Sequence, residues 1–66
     1  MDFTVQYFNR GLRVHVVGEY VRDLKHLVNE HFKFEKDFLL LDLGRIIDLD
    51  EKLKDIPNTH FIVYIK

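Results

Sequence analysis

Sixty-six residues with ten Lys and Arg, eleven Asp and Glu and no cysteine make one small domain, residues 1–66, with no disulfide framework and no thiolate metal ligands, so packing alone has to stabilise it. The 47% hydrophobic residues, six Phe and three Tyr among them, are the compensation, because each aromatic ring buries a large area. The formal charge of -1 gives no general pull toward nucleic acid or an anionic membrane, no apolar run approaches the ~20 residues of a membrane span, and Met1-Asp2 opens nothing like a signal peptide, so a cytoplasmic or nuclear domain is expected.

From Asp2 to Phe8 apolar and polar residues alternate, with Met1, Phe3, Val5 and Tyr7 on one face, which predicts a half-buried strand. Asn9, Arg10 and Gly11 suit a three-residue hairpin loop with glycine in the left-handed position. A second strand, Leu12 to Val17, points Leu12, Val14 and Val16 inward and Arg13 and His15 outward, and Gly18 ends it. The period then changes. Tyr20, Val21, Leu24, Leu27, Val28, His31 and Phe32 recur at helical spacing, predicting an amphipathic helix over 19–32 whose start lacks a Ser, Thr, Asp or Asn cap. Phe34 is expected to tuck beneath it.

In "FLLLDLGRIID" either parity is apolar enough to be core. Burying Phe38, Leu40 and Asp42 would desolvate a carboxylate, so the expectation is that Leu39, Leu41 and Leu43 face the core. On that reading Leu41→Asp unfolds the domain and Leu40→Asp is mild. Gly44-Arg45 makes a tight turn and Ile46-Ile47 a short return strand. "DLDEKLKDI" reads as one or two helical turns with Leu49, Leu53 and Ile56 apolar, ended by Pro57-Asn58. In the last strand Phe61, Val63 and Ile65 face the core, while Ile62 and Tyr64 share the outer face with His60 and Lys66.

Catalytic and metal-binding arrangements are scarce. Ser and Cys, the usual covalent nucleophiles, are both missing, which argues against acyl transfer. His26 and His31 stand five apart and do not share a helix face as i, i+4 ligands would, and Asp48, Asp50 and Glu51 lack the spacing and glycine of a calcium loop. No cofactor and no catalytic residue is assigned.

Strand, strand, helix, strand, short strand, helical turn, strand is the order of a β-grasp. Across nearly the whole chain the sequence resembles the ubiquitin family: a hairpin with a Gly-containing turn, the helix "YVRDLKHLV", the hairpin "LLDLGRII", the segment "LDEKLKDI" and a terminal apolar strand. The resemblance implies an α+β, ubiquitin-like β-grasp fold, a mixed five-stranded sheet packed on one helix. It also implies a non-enzymatic module that binds other proteins, such as ubiquitin-pathway receptors, through the outer sheet face. Phe8 and Tyr64 match two places of the family's apolar patch. At the third, where the family has an isoleucine, the alignment puts Asp42, which would favour a partner bringing Arg or Lys to the patch centre. Leu40, Ile62 and Arg45 complete the expected site, and a second copy of the chain is a further candidate occupant. Conjugated family members end in Gly-Gly, whereas these residues end at Ile65-Lys66. The alternative is therefore a covalent modifier or sulfur carrier whose tail is missing from these residues, and the chain as written is expected to form no thioester with an activating enzyme.

Overall fold

In a computed structural model that describes residues 1–66, the elements run β1 (Asp2–Tyr7), β2 (Arg10–His15), α1 (Val21–Phe32), β3 (Phe38–Asp42), β4 (Arg45–Ile46), a 3-10 turn (Leu53–Asp55) and β5 (His60–Ile65). The strands form one mixed sheet, ordered β2-β1-β5-β3-β4, in which only β1 and β5 run parallel. The helix packs on one face, its Val21, Leu24 and Val28 in one buried cluster with Phe3 and Val5 of β1 and Phe61 and Val63 of β5, the central strand. This is an α+β fold of the β-grasp type. No helix is long and apolar enough to cross a membrane.

The helix has no side chain in the usual capping position, and the tertiary structure explains how it begins without one. Its first two N–H groups, of Val21 and Arg22, donate to the carbonyls of Glu51 and Leu49 at 3.0 and 3.2 Å, so the loop before the 3-10 turn satisfies donors that a helix otherwise leaves open. The Asp23 carboxylate, in the first turn, accepts from Tyr20 N–H at 3.1 Å. Gly18 makes room for it, because a Cβ there would overlap the Asp23 side chain. Gly18→Ala is therefore expected to displace Asp23 and lower stability by about 2 kcal/mol, roughly a 10 °C fall in melting temperature. A melting temperature unchanged in a thermal scan would show that the segment relaxes around the methyl group.

Several expectations need correcting. The largest is the parity of β3: Phe38, Leu40 and Asp42 face the core, Leu39 and Leu41 face outward, and Leu43 is 91% exposed at a hairpin tip. Asp42 is only 7% exposed, and the desolvation argument fails because Asn58, sixteen residues on, donates its amide N–H to Asp42 Oδ1 at 2.9 Å. A buried carboxylate with a hydrogen-bond donor costs far less than an orphaned one. Both hairpin turns also lie elsewhere. Tyr7 pairs with Arg10 across a two-residue Phe8-Asn9 loop in which Phe8, at φ 53°, takes the left-handed conformation. Gly11 instead sits in β2 opposite Gln6, whose amide donates to Phe8 O at 2.6 Å. The second turn is Leu43-Gly44, at φ 50° and 84°, with Asp42 opposite Arg45. Positive φ at both central residues is the type I′ pattern, whose twist matches antiparallel strands.

Elsewhere most of the periodicity holds, but Met1 and His31, expected on apolar faces, are exposed and β2 ends at His15 rather than Val17. Val16, Leu53, Ile56, Phe61 and Val63 are buried, and Leu12, Val14 and Ile65 half-buried. Phe34 lies in the aromatic cluster under the helix end, 4.9 Å between centroids from both Tyr7 and Phe38. Leu49 is exposed, and the helical segment reduces to the single 3-10 turn.

Candidate protein-binding face

With the core filled from one side, the other side of the sheet is decided by strand register. Cross-strand partners point to the same face, and β5 is flanked by β1 and β3. Leu39 lies beside Tyr64, and Leu41 lies between Ile62 and Ile46. Ile46, Ile62 and Tyr64 are exposed, Leu39 and Leu41 half-buried. Five large apolar side chains thus adjoin across three strands. The parallel register sets Gln6 beside Ile62, and Phe8 stands in the turn just past the end of β1. Phe8 is 82% exposed and its ring stands 4.7 Å from that of Tyr7.

Of the six residues expected to form the site, the structure therefore leaves Phe8, Ile62 and Tyr64 available. Leu40, 2% exposed, is a core residue, and Asp42 belongs to the inner face, so it cannot sit at the centre of an outer patch. Arg45 is exposed, but its Nη1 donates to both oxygens of Glu51 at 3.2 Å. Leu39, Leu41 and Ile46 were missed because each depends on the parity of β3, and the correction makes the patch more apolar. Placing the second turn at Leu43-Gly44 would have paired Leu41 with Ile46, although not said which way the pair faces.

Charges at the margin are few. On the outer face Asp2 and His15 form a pair at 2.6 Å, and the imidazole hydrogen bond holds the Asp2 carboxyl below its ordinary range. Thr4, Gln6 and Gly11 are uncharged, which leaves Arg13 as the face's one charged side chain outside any ion pair. Where β5 ends, Lys25 and Lys66 clamp Asp37 at 2.9 and 3.1 Å and hold its carboxyl well below the usual range. A depressed carboxyl favours the fold at pH values above its unfolded pKa, and the benefit fades as pH falls through the acid range. Solvent screening keeps it small at so exposed a site.

The largest depression, about 420 Å³, lies on the opposite side, along α1 and the 34–38 segment. Of its charged lining groups Lys25 pairs with Asp37, and Arg22 and His26 pair with Asp50 and Glu30 outside the depression. They do not converge on a common point where a reacting atom would sit. No protein-family profile matches this chain, and comparison with curated protein sequences finds no relative.

Proposed function

We propose that the domain is a ubiquitin-like module that binds other proteins non-covalently, without catalysis, through the outer face of its sheet. The observation that carries this reading is the register of β3, β4 and β5, which gathers Leu39, Leu41, Ile46, Ile62 and Tyr64 on one face while thirteen other apolar residues fill the core. The core has no need of them. Contiguous apolar surface of this kind on a small domain marks an interaction site, and Tyr64 has the rigid amphipathic ring favoured for an anchor. The order of strands and the resemblance to the ubiquitin family support the same face, although the patch centre is Leu41 with Ile62 rather than Asp42.

Tyr64→Ala and Ile62→Ala are expected to leave the fold nearly intact and each to cost a native partner about 1–3 kcal/mol of affinity. The test is capture from cell extract with wild type and with the double variant, followed by amide chemical-shift mapping of the captured complex. Shifts confined to α1 around Arg22, His26 and Asn29, or capture unchanged in the double variant, would overturn the reading.

A further inference from the structure

The formal charge of -1 is the sum of two unlike ends. Where β1 turns into β2 and α1 finishes, aromatic rings gather: Tyr7 lies 5.8 Å from Phe32 and 4.9 Å from Phe34, and Phe32 stacks on Phe34 at 5.3 Å. These rings are half-buried against one another, while Phe8, 4.7 Å from Tyr7, projects from them 82% exposed. Around the cluster stand Arg10, whose guanidinium lies over the Phe32 ring at 4.9 Å, Lys33, which caps the helix C-terminus, and Lys36. None of these cations takes part in an ion pair, and Glu35 is the only carboxylate beside them that is equally free. The other end of α1 has the opposite character. There the segment carrying Asp48, Asp50, Glu51 and Asp55 docks its backbone carbonyls on the first helical N–H groups, the length of the helix away.

Two residues of the cationic end also hold left-handed backbone, Phe8 at φ 53° and Lys33 at φ 56°, where Asn or Gly would be comfortable. Core packing accounts for neither, since both side chains are exposed. One is an apolar ring and the other a cation.

We propose that this end docks on the interface of an anionic lipid bilayer, with Phe8 entering the headgroup boundary, Arg10, Lys33 and Lys36 over anionic headgroups, and the carboxylate-rich end turned away. A projecting apolar ring backed by cations is the combination such an interface takes. A single nucleic-acid strand needs several open ring faces on which to stack its bases, whereas Tyr7, Phe32 and Phe34 cover one another's faces. The proposal does not rest on the protein-binding face, because Leu41 and Ile62 lie on the broad side of the sheet and stay free when the end is docked. A lone ring with so few cations binds weakly and reversibly, and best at low ionic strength.

The experiment is co-sedimentation with sucrose-loaded phosphatidylcholine vesicles, with and without about 30% phosphatidylserine. Binding is expected only when phosphatidylserine is present and is lost at about 1 M salt, where screening is short-ranged. Phe8→Asn is expected to lower vesicle affinity about tenfold. Lys33→Asn is the decisive variant: affinity falls about fivefold with the lost cation, while the melting temperature does not fall, because Asn suits the left-handed cap. The chain has no Trp, so Phe8→Trp reports insertion directly, its emission moving to the blue on the anionic vesicles and being quenched by brominated acyl chains. Lys54→Gln, on the carboxylate-rich end, and Ile62→Ala, on the outer face, are controls that leave vesicle binding unchanged.

No sedimentation with the anionic vesicles at low salt would overturn the proposal, as would binding that Phe8→Asn and Lys33→Asn leave intact. A loss with Ile62→Ala in their place would put the outer face on the bilayer instead. Displacement by soluble glycerophosphoserine would show a headgroup site with no need of a membrane, and binding of oligothymidine without vesicle binding would assign the end to nucleic acid; either result overturns it. Protein capture through the outer face is measured without lipid, so the two readings fail separately.

Discussion

Leu40→Asp is expected to remove most of the domain's stability, while Leu41→Asp keeps a cooperative melt. The two positions are neighbours on β3, yet Leu40 is 2% exposed, paired with Val63 in the centre of the sheet, and Leu41 is half-buried on the opposite face beside Ile62 and Ile46. A carboxylate at 40 would stand among apolar side chains without a donor, and an unpaired buried charge costs more than about 4–5 kcal/mol even after its pKa adjusts. A domain of this size has roughly 3–10 kcal/mol in all. At position 41 the same carboxylate reaches water, and the loss is about 1 kcal/mol of strand preference and cross-strand contact. Thermal melts followed by circular dichroism check the pair. The opposite order would mean that β3 buries Leu39 and Leu41 after all, and the outer patch would lose its centre.

Phe61→Ala is expected to be the most damaging truncation in the core. Phe61 is fully buried on β5, the strand between β1 and β3, lies beside Val5, and stacks on Phe3 with ring centroids 5.6 Å apart. Removing a buried phenyl costs about 3–5 kcal/mol in lost transfer energy and cavity, with a further ~0.5–1.5 kcal/mol from the aromatic pair. At about 4–8 °C per kcal/mol for a domain this small, the melting temperature falls by at least about 12 °C. Ile62→Ala, one residue along and facing water, is the control and should shift it by only a few degrees. Urea titration reports the same difference as a lower midpoint at constant slope; comparable losses for the two variants would contradict the burial of Phe61 and the exposure of Ile62.

Much of the fold can be read in the chain because its elements announce themselves by period. Alternation from Asp2 to Tyr7 and the helical spacing of Val21, Leu24 and Val28 each satisfy a local geometry that only one secondary structure can use. In β5 the polar residues His60 and Lys66 bracket the apolar run, and they carry Ile62 and Tyr64 to the wet face by parity alone. The β5 part of the outer apolar face therefore follows from a single strand.

What only the tertiary structure decides is the set of features that depend on a partner distant in sequence. Asp42 is tolerable inside because the Asn58 amide arrives from the far side of the 3-10 turn. No local rule about carboxylates sees that donor, and a one-residue change of parity moves every side chain of β3 to the other face. The helix begins without a capping side chain at Tyr20 because the backbone carbonyls of Leu49 and Glu51 are brought to its first N–H groups. Phe8 and Leu43 take turn positions that local preference assigns to Asn or Gly, because the strand register of the folded sheet places the turns there. Local periodicity fixes which residues are apolar neighbours along the chain; long-range hydrogen bonds choose which of their two faces meets the core.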